Sequence, residues 1–357
     1  MAGRRKGMMG ELAADVHVRS ALGRRQVLAG ASAIALAGLA APAAAASHDL
    51  VVSASGRRGT VSSLGEALAV AARAGGAPFA IGLDPGTYRE KLSVTVPNVT
   101  LAGTAPGAVV AFAAGAAQPS PEGRNWGTSG SAVLTIAAPG VTLSNLTIRN
   151  DHPYLAQPMQ AVALAVAAAG ERTRIAGCRI ESYQDTLLLQ ASTHVVGCRI
   201  SGCVDFIFGG GAAWIEQCEI VSRSVPNAPA GYIAAPSTHE RQRYGLVFDR
   251  CRLVREPGVP AGSVFLGRPW RAGGNMALTG QASFLRCWMD AHIAPAGWTS
   301  MGYTDPAGIR RQLTPAEARF SEYGSRGPGA VAFPSRPQLA ADAYARMTPV
   351  SILGWSP

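Results

Sequence analysis

Cysteine and an aliphatic residue alternate around one mostly polar position at Cys178-Arg179-Ile180, Cys198-Arg199-Ile200, Cys218-Glu219-Ile220, Cys251-Arg252-Leu253 and Cys287-Trp288-Met289. A period of two puts the outer pair on one face and the middle residue on the other. This predicts short strands with cysteine and its partner facing inward. Val99-Thr100-Leu101, Val141-Thr142-Leu143 and Leu146-Thr147-Ile148 carry the same alternation. The first three cysteine triplets recur every twenty residues. Short strands at such a period, joined by glycine-containing turns, predict a solenoid of stacked coils. The leucine and asparagine ladder of a leucine-rich repeat is missing, so the expected fold is all-β, a parallel β-helix.

In a β-helix, residues at equal phase are vertical neighbours, about 4.8 Å apart on adjacent rungs. Asp185 and Asp205 share a phase, each seven residues past its cysteine. With a strict twenty-residue period the stack of carboxylates ends at Ala165 on one side and Val225 on the other. Two close carboxylates repel, and "VDFIFGG" surrounds Asp205 with apolar residues, where an unpaired charge is costly. Such a pair splits its titration, one member staying ionised and the other keeping a proton. That suits the pair to nucleophilic attack combined with acid/base work.

Composition agrees with a large β core. Of 357 residues, 48% are hydrophobic and 15% charged, which excludes disorder and a coiled coil. Glycine, at 42 residues, favours many turns over long helices. The first 46 residues read as an export signal. Arg4, Arg5, Lys6, Arg19 and the pair Arg24-Arg25 precede an apolar run from Val27 to Ala41, and "APAAAASHD" offers cleavage near Ala46. The run is too short for a comfortable membrane span, and "GRRQVLAG" resembles a twin-arginine signal. The six basic and two acidic residues of this segment account for four of the ten formal positive charges. The mature chain, 47–357, keeps a modest surplus, nearly all arginine, which suits a polyanion. It has no Lys/Arg run, so neither nucleic acid nor a membrane is an expected partner.

The strings "GTYRE" (86–90), "QAVAL" (160–164), "QDTL" (184–187), "VDFIFG" (204–209) and "LGRPW" (266–270) occur in the order found in pectin methylesterases. "EYGSRGPGA" (322–330) and the terminal "ILGWSP" extend the resemblance from about residue 50 to the end. It implies a right-handed parallel β-helix with coils of about twenty residues, forming a single domain. It also implies an aspartyl esterase without metal or cofactor, converting methyl-esterified polygalacturonate to pectate and methanol. Carried onto matching positions, Asp205 is the nucleophile and Asp185 the general acid and then base. Gln160 and Gln184 form the oxyanion hole, and Arg268 orients Asp205. Trp270, Phe206 and Phe208 line the sugar cleft. A monomeric enzyme is expected. Tyr88 and Glu90 are assigned structural roles, and the Gly209-Gly210-Gly211 run a tight turn.

Two departures from the family pattern stand out. Leu188 replaces a tyrosine after "QDTL", and Ala165 an arginine after "QAVAL". These leave open the same esterase chemistry on another ester or an acyl thioester. A non-catalytic polysaccharide-binding β-helix is the alternative from another class. "HERQR" (239–243) lacks the second histidine of a zinc protease, and no G-x-S-x-G elbow occurs. Cys178, Cys198 and Cys218 should stack inward. A Cys198–Cys218 disulfide is the favoured pairing, with Cys178–Cys198 or a fully reduced stack as alternatives.

Overall fold

The computed structural model describes residues 47–227 and 230–357; the export segment lies outside them. Parallel strands wind into a right-handed β-helix with three faces, built from a ten-stranded, an eight-stranded and a seven-stranded sheet. One coil runs through Thr173–Ala176, Arg179–Glu181 and Leu187–Leu189, one strand on each face. The next repeats it at Thr193–Val196, Arg199–Gly202 and Ile207–Gly209.

The register bears out the stacked triplets: Ile148, Ile180, Ile200, Ile220, Leu253 and Met289 pair in succession along the eight-stranded sheet. All six are fully buried. Each contributes about 1.5–3 kcal/mol over an exposed position, so this column is a main axis of the core. The period itself is less regular than expected. It holds at twenty across Thr173, Thr193 and Ala213, then widens to 33 at Leu246, 36 at Ala282 from Leu246, and 38 at Phe320. The additional residues form loops outside the three faces and, in the last interval, an antiparallel hairpin of Met301–Thr304 and Arg310–Leu313.

The cysteines differ from the favoured pairing. All six are free and buried, and there is no Cys198–Cys218 bridge. In-register side chains of parallel strands point the same way at the rung spacing of about 4.8 Å, whereas a disulfide draws its Cβ atoms to about 3.8 Å. The sulfurs serve instead as weak acceptors: the backbone N–H of Cys178 donates to Cys198 Sγ at 3.4 Å, and that of Cys198 to Cys218 Sγ at 3.3 Å.

Helix Leu64–Ala72 adds an element that the strand pattern does not predict. Its own signals are local: Ser63 caps it, and Leu64, Ala67, Leu68 and Ala71 supply a buried stripe at helical spacing. Glu90 accepts from the N–H groups of Leu64 and Gly65 at 2.8 and 2.9 Å, and Tyr88 donates to the Asp84 carbonyl at 2.7 Å. Both residues of "GTYRE" are therefore structural, as expected. At the other end, Met347, Ile352 and Leu353 cover Trp214, Val247 and Leu285 on the outer face of the ten-stranded sheet.

Candidate active site

Asp185 and Asp205 sit in equivalent turns between the eight-stranded and seven-stranded sheets. Gln184 bridges Val204 in parallel register, and the Asp185 N–H donates to the Val204 carbonyl at 3.0 Å. Their φ angles are 62° and 49°, a left-handed conformation that aspartate tolerates better than most side chains. Two buried carboxylates on left-handed backbone, one rung apart, repel each other and point to chemistry. The stack ends on both sides, but not at the residues expected. Leu164 pairs Leu187 and Ile207 pairs Ala234, so the positions above and below are Val162 and Tyr232. Intervals of 23 and 27 residues, not twenty, displace Ala165 and Val225 from that column.

Arg268 follows strand Val264–Gly267, two rungs beyond Asp205, and reaches back along the outside of the coil. Its Nε donates to Asp205 Oδ1 at 2.9 Å and its second guanidinium nitrogen to Oδ2 at 2.7 Å. Its guanidinium carbon lies 3.9 Å from the centroid of the Tyr232 ring, which stacks in turn on Phe265. The ring fixes the plane of the fork, and the fork fixes the carboxylate.

The two acids are thereby made different. Burial raises the titration of Asp205, while the hydrogen bonds and charge of Arg268 oppose it. Burial also raises Asp185, and the neighbouring charge of Asp205 lifts it further, well above the usual carboxylate range. Asp185 has no side-chain hydrogen-bond partner among the described residues. The surroundings thus favour the proton on Asp185 and the negative charge on Asp205. The raised titration of Asp185 also costs stability. A folded-state titration above the unfolded value costs nothing below about pH 4 and a growing amount as pH rises toward the folded value. Asp185→Asn should therefore raise Tm by several degrees at pH 7, at about 2–4 °C per kcal/mol, with the gain vanishing near pH 3. A gain equally large at pH 3 in thermal melts would show that the strain lies elsewhere.

Gln160 and Gln184 are half-buried, and neither side-chain amide has a hydrogen-bond partner among the described residues. The backbone of Gln160 is fixed, its carbonyl accepting from Ala116 at 2.8 Å. Behind it, the buried Asn150 amide ties the carbonyls of Ala114, Ser131 and Val162 together at 2.9, 3.2 and 2.9 Å. Free amide N–H groups on a rigid frame can stabilise developing negative charge.

Of the three aromatics assigned to the cleft, Phe208 and Trp270 lie together on the outer face of the seven-stranded sheet. Phe208 and the half-buried Trp270 meet at 5.8 Å with rings tilted by 55°. Phe206 is not a cleft residue. It is fully buried in the core: it precedes strand Ile207–Gly209, in the turn where Asp205 is left-handed, so it escapes the alternation that turns Ile207 inward and Phe208 outward. Ala165, Leu188, Phe208 and Ala235 form one row across the seven-stranded sheet, with Trp270 and Met301 packed against it. The two departures from the family pattern thus sit side by side on an apolar floor. Gly209 ends the strand with φ 127°, and a Cβ there would collide with the Leu189 carbonyl, so the turn admits only glycine.

A family model described as Pectinesterase matches residues 49–336. The chain belongs to the pectinesterase family. Pectinesterase A of Dickeya chrysanthemi is 37% identical over 343 residues, covering 88% of this chain and 93% of that protein. Pectin methylesterase PemA from Erwinia chrysanthemi has a similar structure, with a TM-score of 0.84 at 37% identity over 87% of this chain and 98% of the other. A pectin methylesterase solved in complex with a hexasaccharide matches with the same score, identity and coverage. Within this pectinesterase, sequence reasoning missed Tyr232, Asn150 and Met301. Each acts through a neighbour brought close by a long loop, and no motif marks it.

Proposed function

We propose that the protein hydrolyses galacturonate methyl esters in pectin, leaving pectate and methanol, with Asp205 as nucleophile and Asp185 as acid and then base. One observation carries the reading: a carboxylate clamped by a bidentate arginine stands one rung from an unpaired carboxyl pushed toward its protonated form. An Asp205 oxygen attacks the ester carbonyl, and the carbonyl oxygen gathers negative charge that the Gln160 and Gln184 amides stabilise. As the bond to the methoxy group breaks, Asp185 gives its proton to the departing oxygen and methanol leaves. The acyl group is then joined to Asp205 as an anhydride. Asp185, now ionised, takes a proton from water, whose oxygen attacks the galacturonyl carbon and frees Asp205. The hexasaccharide complex of a relative at 37% identity supports an oligogalacturonide as occupant of the apolar floor flanked by Trp270 and Phe208.

The purified protein should release methanol from highly methylated pectin. Failure to do so, with turnover of an acyl thioester instead, would overturn the substrate assignment. Gln184→Ala and Gln160→Ala should each lower kcat by roughly 10²–10³. A rise in KM alone would make either residue a binding group. Export by the twin-arginine route rests on the N-terminal pattern around Arg24-Arg25. Arg24→Lys/Arg25→Lys should then leave a fused reporter in the cytoplasm, and continued export would refute the route.

A further inference from the structure

A different corner of the helix, between the ten-stranded and eight-stranded sheets, carries a groove of about 340 Å³ lined by Arg250, Arg252, Arg286, Trp288 and Arg326. Arg252 pairs Trp288 in register, and Trp288 bridges Arg326, so cation, aromatic ring and cation occupy one column on three consecutive rungs. Leu253 and Met289 beside them are fully buried, which turns the column outward. The rung spacing sets Arg252 and Arg326 about 10 Å apart at the backbone, with the indole between them.

The four arginines are not equivalent. Arg286 and Arg250 are engaged by the fully buried carboxylate of Asp249, at 2.9 and 3.1 Å, and Arg250 also by Glu216 at 2.6 Å. They build the wall. Arg252 and Arg326 are exposed and form no ion pair among the described residues; the Arg252 guanidinium lies 5.5 Å from the centroid of the Trp288 ring. Four guanidiniums against two carboxylates leave the groove positive.

We propose that this groove is a second binding site for polygalacturonate in its de-esterified form, separate from the catalytic cleft. The choice of polymer rests on the pectin reading above, because the reaction's product is a polyanion of uronate rings. A pyranose ring packs on the Trp288 face, and the carboxylates of its neighbours lie within reach of Arg252 on one side and Arg326 on the other. A neutral, fully esterified chain gains none of these ionic contacts. The site thus holds the enzyme on stretches already processed while the cleft, at another corner, works on esterified ones.

Calorimetric titration of the mature protein with a fully de-esterified oligogalacturonate tests this. The wild type should show a salt-sensitive site that Arg252→Gln/Arg326→Gln weakens by about tenfold or more, as expected for two lost charge-assisted contacts. Trp288→Ala should weaken it as well. Methanol release from a short methyl-esterified oligomer should be unchanged in both variants, which also shows that they fold. KM on long, partly de-esterified pectin should rise. Unchanged oligogalacturonate binding in the double variant, or in Trp288→Ala, would overturn the site. If the wild type releases no methanol from any pectin, the function reading fails instead, and the binding arm still reports on the groove.

Discussion

Asp205→Asn is expected to lower kcat by at least about 10⁴-fold, the scale seen when a covalent nucleophile is removed. Asparagine keeps the size of the side chain and can still accept one hydrogen bond from Arg268. What it loses is the charged oxygen that attacks and one arm of the fork at 2.9 and 2.7 Å. The Arg268 charge then loses its hydrogen-bonded counter-ion, so a modest fall in stability is expected beside the loss of rate. The check is a methanol-release assay on protein whose circular dichroism matches the wild type. A variant retaining more than a tenth of the wild-type rate would remove Asp205 from the chemistry.

Asp185→Asn is expected to cost about 10²–10⁴ in kcat, the usual contribution of a positioned acid and base. The pH profile is the more telling readout. In the wild type, activity falls on the acid side as Asp205 takes up a proton, and on the alkaline side as Asp185 loses the one its surroundings favour. Asparagine cannot titrate, so the alkaline fall should vanish in the variant while the acid fall remains. An alkaline limb that survives unchanged would mean that another group supplies the proton. The same substitution should stabilise the fold at neutral pH, because the costly carboxyl is gone. Lower activity with higher Tm is the signature of a residue kept for function.

Features that obey a local period are legible in the sequence. The Cys178, Cys198 and Cys218 triplets mark the handover from one sheet to the next, and the seven-residue offset alone puts Asp185 and Asp205 on adjacent rungs. The same rule fails where loops intervene. Counting by twenty names Ala165 and Val225 as the neighbours, whereas Val162 and Tyr232 occupy the column. Tyr232, the ring beneath Arg268, is lost through that error. Phe206 and Phe208 look alike as members of one motif, yet the first belongs to the turn and enters the core while the second lies on the outer face of the strand. Period two would put them on one face; the left-handed turn at Asp205, which no periodicity shows, is what separates them. The cysteines do stack inward, but stacking alone does not bring two sulfurs into bonding geometry.

The central claim, that Asp205 forms a covalent bond to the substrate, is tested most directly by rapid acid quench and peptide mass spectrometry. The wild type is mixed with a short methyl-esterified oligogalacturonate and stopped at successive times. The peptide containing Asp205 should carry the mass of the galacturonyl group at early times, appearing together with a burst of methanol. Methanol release during turnover with no acylated peptide at any quench time, or with the acyl group on a different residue, would contradict it.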